Sequence, residues 1–97
     1  MFFRNKIKDN NLINSDNQRN YLKNEIINII SKISKINAGE INDDILIREE
    51  LNVDSLMAME ILSAIEVKFK IKVNEEEIIK ISTIGEFINM IYLIIHK

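Results

Sequence analysis

Three stretches of this chain place apolar side chains three and four residues apart, and that spacing limits the possible folds more than any other feature. Leu22, Ile26, Ile29, Ile33 and Ile36 form the first stripe. Ala58, Leu62, Ile65 and Phe69 form the second, widened by Leu56, Met59 and Ile61. Ile84, Phe87, Ile88, Ile91 and Ile95 form the third. A helix advances about 100° per residue, so each set lies on one face of a helix. The 97 residues contain no proline and two glycines, which disfavours a turn-dense β barrel. That length suits one small domain with a single core.

The punctuation agrees with the stripes. Asn37 and Gly39 are placed to end the first helix in a left-handed conformation. Asp54 is a good N-cap for a second helix running to about Phe69. Lys70 to Val73 alternates like a strand, but four residues without a partner strand make an extended connection. Asn74 to Glu77 has the form of a capping box and predicts a short helix through about Lys80, with Ile78 and Ile81 inward. Thr83 to Glu86 repeats the signature and opens the last helix. The expected fold is all-α: a small four-helix bundle with three longer helices, one short third helix and a long loop between the first two. That loop, residues 37–54, exceeds the ~12–15 residues usual for structureless connections. Ile41, Ile45, Ile47, Leu51 and Val53 are expected to anchor it, with a short turn around Asp43 to Ile47. Residues 20–97 form the bundle in this reading, and residues 1–19 a polar, mobile N-terminal tail with a local apolar contact from Phe2 and Phe3.

Several function classes drop out on composition. Cysteine is absent, so there is no disulfide framework, no thiolate nucleophile and no cysteine zinc site. His96 is the one histidine, which argues against a histidine metal site. Thirteen basic against 15 acidic residues give a net charge of −2, with no basic face to neutralise nucleic-acid phosphates. The start, Met1-Phe2-Phe3-Arg4-Asn5-Lys6, lacks the apolar run of a signal peptide. Ile84 to Ile95 is broken by Glu86 and Asn89 and is too short to span a bilayer. The expected location is cytoplasmic.

Ser55 is the candidate for chemistry. It follows the cap Asp54, at the end of the long loop, where a helix N-terminus offers free N–H donors and partial positive charge to a phosphate. A serine hydroxyl is unreactive until a base removes its proton. No histidine or cysteine lies near Ser55 in sequence, so self-contained triad catalysis is not expected and another enzyme must modify it. On Asp54-Ser55-Leu56 alone, a plain helix cap is the better account of these residues.

The wider run changes that balance. Leu51-Asn52-Val53-Asp54-Ser55-Leu56 followed by Met57-Ala58-Met59-Glu60-Ile61 resembles the carrier-protein family, the acyl carrier proteins and related peptidyl carrier domains. The resemblance continues through Ile65-Glu66, Phe69-Lys70-Ile71, Asn74 to Glu77 and Ile81-Ser82-Thr83-Ile84, covering about residues 20 to 95. It implies a non-catalytic protein. A phosphopantetheinyl transferase would move 4′-phosphopantetheine from coenzyme A onto Ser55, flanked by Asp54 and Leu56. The arm's thiol would hold an acyl, aminoacyl or peptidyl group as a thioester, which supplies thiol chemistry to a chain without cysteine. Two positions depart from the family pattern. Asn52 replaces the usual glycine, and asparagine tolerates left-handed backbone. Asn74 replaces a frequent proline and serves as an N-cap instead.

The resemblance also implies partners: the transferase and acyl-loading, condensing and tailoring enzymes, met by a monomer. Met57, expected to be exposed near the arm, and Glu60 and Glu66 are candidate partner contacts, with a solvated helix face as the competing account of the two glutamates. Met59 is expected in the core. Lys68, Lys70 and Lys72 suit the negative end of a helix dipole. Met90, Leu93 and Ile94 are surplus apolar positions on the last helix. Glu60 and Glu66 are few acids for a fatty-acid carrier's second helix, and Met57-Ala58-Met59 is more similar to polyketide or nonribosomal carriers. That favours a specialised acyl carrier, with a peptidyl or aminoacyl carrier or an unmodified helical module as alternatives. If the bundle shelters an acyl chain, Met59, Leu62, Ile78 and Ile81 are its expected lining.

Overall fold

The structure, a computed structural model, describes residues 15–96. The expected contact from Phe2 and Phe3 lies outside them, as does most of the tail. The helices are α1 (Ser15–Ser34), α2 (Ile47–Glu50), α3 (Ser55–Phe69), α4 (Glu75–Ile79) and α5 (Ile84–Ile95), with a 3-10 turn at Ala38–Glu40. Three are long, and α1 packs against both α3 and α5. This is the expected small all-α bundle, with the extra four-residue α2 inside the loop.

Helix α1 starts at Ser15, five residues before the expected boundary at 20. Its early turns are tied down by polar contacts that leave no apolar period to read. Arg19 Nε donates to Asn89 Oδ1 at 2.8 Å, while Arg19 Nη2 and Lys23 Nζ lie 3.4 and 2.8 Å from the Asp43 carboxylate. The buried face is also broader and rotated. Leu22, Ile26, Ile27 and Ile30 are buried, whereas Ile29, Ile33 and Ile36 are half-buried. Two packing partners demand a wide face, and a helix with isoleucine on several sides does not reveal its phase. At the C-terminus neither Asn37 nor Gly39 is left-handed. Lys35 is, with φ 69°, and its N–H donates to the Ser31 carbonyl at 2.8 Å. Asn37 instead caps the 3-10 turn, accepting from the Gly39 N–H at 2.9 Å.

The loop is held along its length. Ile41 and Leu51 are buried, and Ile45, Ile47 and Val53 half-buried. Residues 43–47 lie against the start of α5. The Ile47 N–H donates to the Ser82 carbonyl at 2.9 Å, the Ile84 N–H to Ile45 at 3.0 Å and the Gly85 N–H to Asp43 at 2.9 Å. A Cβ on Gly85 would stand 3.2 Å from the Asp43 carbonyl oxygen, so glycine allows this close approach.

Helix α3 ends at Lys70, left-handed with φ 55°. After the left-handed Lys70, residues 71–73 form a connection that is not a strand, and the Val73 N–H donates to Glu66 Oε2 at 2.9 Å. Asn74 caps α4 by accepting from the Glu76 N–H at 2.8 Å. Helix α5 has the reciprocal box: Thr83 Oγ1 accepts from the Glu86 N–H, and Glu86 Oε1 accepts from the Thr83 N–H, both at 3.1 Å. Ile26, Ile65, Ile84, Ile88 and Ile91 form the fully buried centre. On α3 the buried pair is Ile61 and Ile65. Leu62 and Phe69 are half-buried and Ala58 is exposed, because α3 is covered on one side only.

Two carboxylates tie this fold to pH. Lys23, with Arg19 behind it, holds the Asp43 carboxyl below its ordinary value, and the Ser82 and Thr83 amides do the same for Glu86. A carboxylate with a depressed folded pKa adds stability above its unfolded value of about 4, and loses it as pH falls through the folded value. The melting temperature should therefore drop progressively below about pH 4. Asp43→Asn should flatten part of that fall, which a melting series from neutral to acid pH measures.

Candidate functional site

The site is built by the last residues of the loop. Leu51 is buried and pins the chain. Asn52 then turns it with φ 55°, the left-handed conformation that asparagine tolerates. Asp54 Oδ1 accepts from the Met57 N–H at 2.8 Å, and the Asp54 carbonyl accepts from the Ala58 N–H at 2.9 Å. Ser55 is the first residue of α3 and is exposed. The first amides of a helix have no intrahelical acceptor, so the start of α3 at Ser55 and Leu56 carries partial positive charge that favours an anion. Leu56 is 68% exposed beside it.

The two methionines exchange their expected places. Met57 is half-buried against the core, in line with Ile61 and Ile65 at four-residue intervals. Met59 is 65% exposed. Glu60 is exposed, whereas Glu66 is half-buried with one carboxylate oxygen on the Val73 amide. Glu66 also lies 11 residues along α3 from Ser55, about 16 Å at 1.5 Å per residue. Lys68 pairs with Glu25 of α1 at 2.9 Å, which raises its pKa. Among the described residues no group of three metal-capable side chains is found, and no helix is long and apolar enough to cross a membrane.

Ser55 borders a cavity of about 440 Å³. It runs from Asp54 and Ser55 inward to buried Ile84 and Phe87. Met59, Leu62, Ile78 and Ile81, the four expected lining residues, all border it. Arg48 and Glu75 border it too, and neither was legible in the sequence. They read as ordinary surface charges, and only the fold of the loop brings Arg48 beside Ser55's cavity.

An exposed serine on a capped helix start, with an apolar cavity beside it, suits a phosphate-linked arm with a hydrophobic load. The family described as "phosphopantetheine attachment site" matches residues 24–91. The chain belongs to this carrier family. The carrier is 35% identical over 74 residues to an acyl carrier protein of Cyanophora paradoxa, covering 76% of this chain and 72% of that one. It is 31% identical over 67 residues to an acyl carrier protein of Wolinella succinogenes, covering 69% and 88%. A third relative, an acyl carrier protein of Buchnera aphidicola, is 33% identical over 72 residues, covering 74% and 91%. This protein is thus a carrier and not a catalyst, and it functions with a covalent 4′-phosphopantetheine, a phosphopantetheinyl transferase and biosynthetic enzymes. The bound group supplies a thiol for thioester formation. Ser55 presents an exposed side chain on the capped start of α3, beside the apolar cavity.

Proposed function

We propose that Ser55 carries the arm and that the adjacent cavity receives a hydrocarbon acyl chain. The observation that carries this reading is that one cavity joins Ser55 to the apolar faces of α3 and α4. Its size, about 440 Å³, falls in the range of small-molecule pockets. Asp54 holds the helix start on which Ser55 is presented, and Leu56 stands exposed beside it. Met57 and Glu60 are the partner contacts nearest the arm. Glu66 is a more distant one, with one oxygen already engaged. The protein acts as a cytoplasmic monomer serving acyl-loading, condensing and tailoring enzymes.

The cavity favours acyl over aminoacyl or peptidyl cargo. The sparse acidity of α3 suggests a specialised pathway, but fatty acids and reduced polyketides are both hydrocarbon chains and the cavity suits either. Burying one methylene contributes about 0.8 kcal/mol before the cost of opening the wall. The octanoyl form should therefore melt several degrees above the holo form, with NMR shift changes at Leu62 and Ile78. Equal melting points and an unperturbed core would place the cargo in solvent and favour the aminoacyl reading.

A further inference from the structure

Arg48 sits in α2, and its Nη1 donates to the Ile81 carbonyl at 3.1 Å. Both residues border the cavity beside Ser55. The bond continues the row that joins the loop to the start of α5: Gly85 to Asp43, Ile84 to Ile45, and Ile47 to Ser82. Those rungs are backbone to backbone, so breaking one requires a chain segment to move. The Arg48 rung is made by an exposed side chain, which reorients in picoseconds to nanoseconds. Arg48 has no ion-pair partner among the described residues, so no carboxylate competes with Ile81 for it.

The wall this bond reaches is anchored less than those of α3 and α5. Helix α3 contributes buried Ile61 to the cavity wall, and α5 contributes buried Ile84 and Phe87. Helix α4 contributes no buried residue and leaves Ile79 71% exposed. A chain entering from Ser55 passes between α3 and α4, and α4 is the side that can give way.

We propose that the Arg48–Ile81 bond latches the α4 wall, making Arg48 a specificity-determining residue that sets how readily the carrier admits a hydrocarbon cargo. The proposal rests on the reading of the cavity as the cargo pocket. In the empty state the guanidinium holds Ile81, two residues beyond the end of α4, against the loop. Opening costs this bond, and that cost reduces the apparent affinity of the pocket for the chain by the same factor.

The test uses the full chain, with Arg48→Met, which keeps the apolar stem and removes every donor, and Arg48→Lys, which keeps one charged donor group. In the unmodified protein, amide exchange at Lys80 and Ile81 should rise severalfold in Arg48→Met while Ile88 and Ile91 are unchanged. The gain in melting temperature on octanoylation should be larger in Arg48→Met than in the parent, with Arg48→Lys between them. Unchanged exchange at Lys80 and Ile81 overturns the latch, as does an octanoyl gain equal in parent and variant. Octanoylation that stabilises neither protein overturns the cargo-pocket reading and the proposal with it.

Discussion

Ser55→Ala should abolish phosphopantetheine loading completely while leaving the helical circular dichroism spectrum nearly unchanged. The two halves of this result have separate causes. Loading needs the hydroxyl as nucleophile, and a methyl side chain has none. The helix start does not depend on that hydroxyl, because Asp54 Oδ1 satisfies the Met57 amide at 2.8 Å. Alanine also has high intrinsic helix propensity, so it does not oppose the helix that starts at this position. Intact-protein mass spectrometry after incubation with coenzyme A and a broad transferase reads the outcome directly. The parent should gain one phosphopantetheine increment and the variant none. An increment retained in the variant would sink the assignment of Ser55. A parent that gains nothing would favour the unmodified helical module.

The local structure of the candidate site was legible because its signals are local. A cap, a serine and the apolar residues after them sit in consecutive positions, and Asn52 takes the left-handed turn its chemistry allows. The capping box at Thr83 to Glu86 likewise needs only four residues and forms as read. What stayed hidden depends on long-range packing. Whether Met57 or Met59 turns inward is set by the phase of α3 against α1, since both methionines lie on a largely apolar helix. The first turns of α1 are held by Arg19 and Lys23 reaching Asp43 and Asn89, pairs separated by 20 to 70 positions in the chain. Lys35 and Lys70 occupy left-handed positions with φ 69° and 55°, where sequence preference points to glycine or asparagine. Arg48 is the same problem at the site itself: its meaning comes from Ile81, 33 residues away.

Ile65→Ala should destabilise the protein more than Phe69→Ala, reversing what side-chain size alone suggests. The two residues lie one turn apart on α3, but Ile65 is fully buried and Phe69 only half-buried. Truncating a buried isoleucine removes its apolar burial and leaves a cavity in the middle of the packed centre, costing about 2–5 kcal/mol. Phe69 lies at the end of α3, just before the turn at Lys70, where part of its ring already meets solvent. Its loss should fall below the ~3–5 kcal/mol typical of a buried phenylalanine. A small domain has about 5–15 kcal/mol in total, so Ile65→Ala uses a large share of it. For a chain of this size each kcal/mol lowers the melting temperature by roughly 4–8 °C, so the Ile65 variant should lose on the order of 10 °C or more. Thermal and urea unfolding of both variants beside the parent measure the difference. A larger loss from Phe69→Ala would mean that the end of α3 is packed more tightly than its exposure indicates, and that the core extends beyond its isoleucine centre.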